Sequence, residues 1–374
     1  MYRLFLPVVM SFLLLLRPTG AADSPAAETC VLPLALHHSV GDWELAIAHP
    51  AAGRDCGRDL IATRAMLERA AALLACGDPR SEIASVNRLA GSRSGRLGRP
   101  TYDLVLRSLV WKDRTKGAVD PLAGPLKRIW LGHDPLPIVE RDPGPESGAA
   151  TSACRLACRA HRVVTDRPGP WPTSAQVDSA LALVHQGGTY FVDLGVLLRD
   201  PGMELDLDPV LDGVLVDRAL DSLTAAGHGG LRLRVGGVWR CDNQGGVWSL
   251  PLAGPDGSLL GNVALSGQAL AAVEPQPCLR LAGQALNGLL DPRDGRPLEA
   301  LASWALAPSG EEARVWALAL AVLGPEEGLA LLAAEARVEG ACCRPDGAGG
   351  FELWTTPGFP VPGIVALPRE PATR

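Results

Sequence analysis

Residues 231–235 read Leu–Arg–Leu–Arg–Val, so Leu231, Leu233 and Val235 alternate with Arg232 and Arg234, and Gly236–Gly237 follows at once. A period of two places the apolar set on one face and the arginines on the other, as in a half-buried strand. The same signal recurs along the chain. Trp43, Leu45 and Ile47 alternate within 43–48, and Met203, Leu205 and Leu207 alternate with Glu204, Asp206 and Asp208. Further strand candidates fall at 262–265, 269–273, 303–306 and 351–354, and 242–246 reads as a turn with 247–252 returning as hairpin partner of 231–235. Helical periodicity marks 59–75, where Leu60, Leu67 and Leu74 share a face, and 102–113 with Leu104, Leu106, Leu109 and Val110. It also marks 209–226, stopped by Gly227 and Gly229, and a helix pair at 311–323 and 325–335. Strands and helices mix without regular βα alternation, which points to an α+β fold and away from a doubly wound sheet.

The N-terminus predicts export. Arg3 precedes an almost unbroken apolar run at 4–16, and Pro18, Gly20, Ala21 and Ala22 supply the break and small residues of a cleavage site. Residues 1–22 are thus expected to be a signal peptide and 23–374 a soluble periplasmic or extracytoplasmic chain. Cys30 lies too far from the cleavage site to carry a lipid anchor. The net charge of −6, without a basic stripe, argues against nucleic acid as a partner. The nine cysteines are an odd number, so at least one thiol is left over if the rest pair. Cys154 and Cys158 are close enough to bridge, but their spacing and the position of His161 do not fit haem attachment. They lie in a Pro-, Gly- and Arg-rich stretch, 131–172, that reads as an irregular insertion.

Four segments offer chemistry. Ser81–Glu82, running on to Asn87, taken alone is a helix start with Ser81 as its cap. Gly117–Ala118–Val119–Asp120–Pro121, followed by Gly124–Pro125–Leu126 and Trp130, is a constrained loop that is either a ligand cradle or a turn. Asp206, Asp208, Asp212 and Asp217, with Gly213, surround a strand-to-helix junction, the usual place for a phosphate. Carboxylates there repel a phosphate unless a cation intervenes, so the run admits a Mg²⁺ or Ca²⁺ site, or helix capping by Asp208. Asp291–Pro292–Arg293–Asp294–Gly295 is a turn signal. The seven histidines are scattered, and neither a nucleophile triad nor a P-loop appears.

In order, these segments resemble the FAD:protein FMN transferase family, the ApbE type. Val40–Gly41–Asp42 stands at the family's Met–Gly–Thr opening, and the 81–87 segment is similar to its Ser–Glu–Leu–Ser–x–Leu–Asn helix start. Residues 117–130 match its Gly–x–Phe–Asp–Pro, Gly–Pro–Leu and Trp run. Residues 205–218 match its Asp–Leu–Gly–Gly–Ile–Ala–Lys–Gly–Tyr–Ala–Val–Asp stretch, keeping Asp206, Gly213 and Asp217. Residues 234–238 resemble its Gly–Gly–Asp strand end, 290–297 its Asp–Pro–x–x–Gly–x–Pro loop, and 313–328 its last helix with the Leu–Gly–x–Glu–Glu–Gly turn. The resemblance implies an ApbE-like fold of mixed antiparallel sheets with flanking helices. It implies FAD as substrate or ligand, contacted by Ser81, Asn87, Asp120, Asp206, Gly213, Asp217, Gly236, Gly237, Asp291 and Arg314. It also implies an acceptor protein near the membrane whose Ser or Thr receives FMN.

The departures cluster where the family does its chemistry. The family's Lys is Asp212, its acid after Gly–Gly is Val238, its Thr–Ser–Gly reads Ala272–Val273–Glu274, and its His is Gly288. The Asp and Thr that bind Mg²⁺ from the last helix are Arg314 and Leu318, so no metal ligand is retained there. The resemblance therefore implies a family member with impaired catalysis or, alternatively, a non-catalytic flavin-binding or partner-binding exported protein.

Overall fold

The computed structural model of the chain describes residues 30–34, 43–131, 165–167, 170–254, 259–274, 279–299, 301–346 and 350–360. The expected signal peptide, the 40–42 opening and most of the 131–172 insertion, with Cys154, Cys158 and His161, lie outside them. The first half comprises β1 (Cys30–Leu34), β2 (Trp43–His49), α1 (Cys56–Leu74), α2 (Glu82–Arg88), β3 (Gly95–Arg96), α3 (Arg99–Arg114) and α4 (Gly124–Leu131). Then come β4 (Thr165–Arg167), α5 (Ser174–Gln186), β5 (Thr189–Val192), β6 (Gly195–Leu198) and α6 (Asp208–Ala225). The remainder is β7 (Gly229–Val235), β8 (Val238–Cys241), β9 (Trp248–Ala253), β10 (Leu259–Leu265), β11 (Ala269–Val273), β12 (Leu279–Leu281) and β13 (Gln284–Leu286). It closes with β14 (Ala302–Ala307), α7 (Gly310–Leu332), β15 (Glu339–Pro345) and β16 (Phe351–Thr355).

Eight strands form one sheet in the order β1-β2-β7-β8-β11-β14-β15-β16, each neighbouring pair antiparallel. Strand parity divides the core. Leu45, Ile47, Leu231, Leu233, Ala269, Ala271 and Val273 face α6 and α7 on one side. Leu270, Trp304, Leu306, Ala341 and Cys343 face the other, where the β9–β10 ribbon covers them with Leu250, Leu252, Val263 and Leu265. Both faces of the central strands are thus dry: β14 is buried at every position, and its one polar side chain, Ser303, donates to the Ala317 carbonyl at 2.7 Å. Smaller sheets, β3-β6-β5 and β13-β12-β4, flank this core. The fold is α+β, as the lack of regular alternation implied.

Two local readings need correction, and a third holds. The 247–252 segment is not the partner of β7, because Gly236–Gly237 already closes a two-residue turn, with φ +55° at Gly236, and returns the chain as β8. The expected helix pair is present within α7, whose two parts meet at Gly324, where the backbone leaves helical geometry at φ 77° ahead of Pro325. Residues 203–207 alternate like a strand but join no ladder. Their backbone is claimed instead by Asn87, whose Nδ2 donates to the Leu205 carbonyl at 2.9 Å while its Oδ1 accepts the Leu205 N–H at 2.8 Å. The Asp206 N–H goes to the Pro121 carbonyl at 2.8 Å. One amide side chain thus does the work of a neighbouring strand. Asn87→Ala leaves both Leu205 groups without partners and is expected to destabilise the chain by about 2–3 kcal/mol. Asn87→Asp, which keeps the acceptor, should fall between; urea melts that place Asn87→Ala within about 0.5 kcal/mol of wild type contradict the clamp.

Candidate functional site

The site is built where α4, the 203–207 segment and α6 meet. Asp206 and Asp208 both turn toward Lys127 of α4, which lies 3.0 Å from Asp206 Oδ2 and also bonds Asp208. The Asp206 side chain accepts the Asp208 N–H at 3.0 Å, and Cys76 Sγ stands 4.0 Å from the Lys127 ammonium. The capping role expected of Asp208 is not taken up: Leu207 is the cap residue of α6, and Asp208 lies inside the first turn. Burial pushes the Asp208 carboxyl up against the pull of Lys127. Burial also works against the Lys127 charge, but Asp206 and Asp208 outweigh it and hold the ammonium well above the ordinary lysine range. The Cys76 thiol, buried beside two carboxylates, is pushed far up and is a poor nucleophile and ligand. Cys76, Asp206 and Asp208 have their donor atoms within 4.8 Å of one another, the reach of a metal site. Here, however, the compensating cation is Lys127. Lys127 is not among the residues the sequence motifs single out; its place directly after Gly124–Pro125–Leu126 is the one signal that points to it.

One turn further along α6 stands Asp212, whose charge adds to the upward pressure on Asp208. Its Oδ2 accepts the Gly237 N–H at 3.4 Å, and a Cβ on Gly236 would come within 2.2 Å of the same oxygen. Arg314 of α7 approaches the same turn. Its Nη1 lies 3.6 Å from where a Cβ of Gly237 would sit, while Ala272 O would be 2.6 Å from that Cβ. Gly236, Gly237, Ala272, Asp212 and Arg314 therefore converge at one sheet end. Arg314 Nε is buried and makes no hydrogen bond, and among the described residues no carboxylate pairs with this guanidinium. Leu318, one turn on along α7, is buried in the main core.

The other expected residues hold this frame. Ser81 Oγ accepts the Ala84 N–H at 2.9 Å and caps α2. Asp120, 2% exposed, accepts the Leu122 N–H at 2.8 Å and pairs with Lys112 at 2.8 Å. Pro121 ties that loop to Asp206, and Gly124 permits a close approach to Glu204, since a Cβ there would lie 2.5 Å from Glu204 Cβ. Gly213 faces Gly310, and Asp217 accepts the Gly310 and Glu311 N–H groups at 2.8 and 3.0 Å, capping α7. Arg240 lies 3.3 Å from Asp217. Asp291 takes the Arg293 guanidinium at 2.8 Å, which reaches on to Glu327 beyond the α7 kink. His228 is a buried loop residue outside this cluster: its Nδ1 accepts the Ala51 N–H, and its Nε2 holds the Asp59 carboxyl below the usual range.

The fold is shared with solved flavin transferases. The fold matches "Flavin Transferase ApbE" from Vibrio cholerae with a TM-score of 0.68 at 20% identity, covering 89% of this chain and 98% of that one. It matches the apo flavinyl transferase ApbE of Pseudomonas stutzeri with a TM-score of 0.67 at 19% identity, covering 88% and 94%. In sequence, the chain is 23% identical over 275 residues to an FAD:protein FMN transferase of Klebsiella pneumoniae (strain 342), 71% of this chain and 76% of that protein. Against the Escherichia coli (strain K12) FAD:protein FMN transferase it is 23% identical over 274 residues, 69% and 68%. The ApbE family model matches residues 42–342. The chain belongs to the ApbE family.

Proposed function

We propose that this chain is an exported FAD-handling protein whose capacity to move FMN onto a Ser or Thr hydroxyl of an acceptor protein is strongly reduced. Family membership supports the flavin substrate and the acceptor partner. The apolar leader supports export, and Cys56 is disulfide-bonded, which suits an oxidising compartment. The observation that carries the impairment is the pair on α7 beside Gly237: a guanidinium at Arg314 and an apolar side chain at Leu318. The residues at this place do not fit the Mg²⁺ that the family resemblance implies, because a hard divalent cation needs oxygen ligands and a fixed positive charge repels it. Nor is the Cys76–Asp206–Asp208 group a replacement, since the Lys127 ammonium already neutralises it.

Cationic stabilisation carries much of the rate in phosphoryl transfer, and losing several kcal/mol of it slows transfer by roughly a hundredfold or more. The test incubates residues 23–374 with FAD, Mg²⁺ and an acceptor protein whose flavinylation segment carries a free Ser or Thr hydroxyl, and follows the acceptor's mass. The E. coli relative serves as positive control. We expect FMN addition at least about a hundredfold slower than the control. A rate within about tenfold of it refutes the impairment.

A further inference from the structure

We propose that Arg314 and Asp212 are a reciprocal charge exchange across the Gly236–Gly237 turn, and that the Arg314 guanidinium binds the diphosphate of FAD without any metal. The inference rests on the reading that this chain handles FAD. Both residues meet the same turn, from two different helices: Asp212 of α6 through the Gly237 N–H at 3.4 Å, and Arg314 of α7 with Nη1 3.6 Å from the Gly237 Cβ position. The resemblance places a Lys at 212 and an Asp at 314, so each sign is reversed while the charge summed over the two stays the same.

Two things follow from the reversal. An acid on α7 needs a divalent cation between it and an anionic ligand, whereas a guanidinium meets the phosphates directly. The guanidinium is also positioned for it. Arg107, Arg128, Arg232, Arg240 and Arg293 each lie within 4.0 Å of a carboxylate, but Arg314 has no such partner among the described residues, and its Nε–H is buried without an acceptor. A half-buried arginine with a buried, unbonded Nε–H beside a glycine turn is short of an anion. A planar fork of donors suits the paired oxygens of a diphosphate. Asp212 opposes an anion at this turn, and Arg314 is the group that offsets it.

The experiment titrates the EDTA-treated mature chain with FAD, FMN and inorganic pyrophosphate by calorimetry, with and without added Mg²⁺. FAD affinity should be the same in EDTA and in Mg²⁺ within about threefold, FMN should bind at least about tenfold more weakly, and pyrophosphate should compete with FAD. Arg314→Gln should weaken FAD at least about tenfold and Arg314→Lys less, with Arg344→Gln, an exposed pair on β15, unchanged. The exchange Asp212→Lys with Arg314→Asp should make FAD binding depend on Mg²⁺. If Arg314→Gln does not fold, Arg314→Lys decides: full affinity there in EDTA, with FMN binding as tightly as FAD, overturns the proposal. FAD binding that appears only with Mg²⁺, or that survives Arg314→Gln, overturns this inference and leaves FAD handling intact. An absence of FAD binding under every condition overturns the functional reading as well.

Discussion

Lys127→Met is expected to remove about 3 kcal/mol of folding stability at pH 7.5, and part of that loss should return at pH 5. The substitution keeps the apolar stem and deletes the only charge that faces both Asp206 and Asp208 among the described residues. Breaking a buried ion pair from one side costs about 3–5 kcal/mol; the low end applies because 28% of the Lys127 side chain stays exposed. The lysine's folded value is raised, so its contribution is complete below the unfolded lysine value and is lost only in strongly alkaline solution. Between pH 5 and 7.5 it is therefore constant in the wild type. Asp208 is raised by burial, and without Lys127 it rises further. A carboxyl with a raised folded value binds its proton more tightly in the folded chain, so acidification favours folding over that window. The deficit of the variant should shrink by about 1 kcal/mol or more from pH 7.5 to pH 5. Urea melts of both proteins at the two pH values measure it. A deficit below about 1 kcal/mol, or one that does not change with pH, means that water already solvates these carboxylates.

What the sequence made legible was whatever has a short-range physical signature. Alternation located β2 and β7, where one period suffices to reveal a strand, and the strand candidates at 269–273, 303–306 and 351–354 coincide with β11, β14 and β16. The β5–β6 hairpin left no such trace: its turn is Asp193–Leu194, both at positive φ, where glycine or asparagine is the usual marker. Residues 203–207 misled for the opposite reason. Their alternation is real, but the partner that satisfies them is Asn87, 118 positions away, and no local pattern encodes that distance. The site divides the same way. Asp206, Gly236, Gly237 and Arg314 were found through ordered motifs, whereas Lys127, which settles the electrostatics of the acidic run, belongs to a helix 79 residues before Asp206. Gly213 was legible as a position and not as a contact: its role is set by Gly310 on α7, which only the tertiary structure brings near.

That contact carries the second large effect. Gly213→Ala should lose about 3 kcal/mol of stability even though alanine is the better helix former by about 1 kcal/mol. The added Cβ would lie 2.3 Å from Gly310 O and 2.6 Å from Glu311 Cα. Both obstacles are backbone atoms, so no rotamer change relieves them, and α6 and α7 have to part. Parting them stretches the bonds by which Asp217 caps α7, at 2.8 Å from the Gly310 N–H and 3.0 Å from the Glu311 N–H. It also carries Arg314, one turn along the same helix, away from Gly237. Stability and ligand binding should therefore fall together: a lower urea midpoint, and FAD affinity weakened by at least about tenfold in the fraction that remains folded. Gly57→Ala is the control, since its Cβ would meet nothing closer than Asp55 Oδ1 at 3.4 Å, and it should change stability by no more than about 1 kcal/mol. If Gly213→Ala loses less than about 1 kcal/mol and keeps its FAD affinity, the two helices slide apart freely and the crossing does not set the position of Arg314.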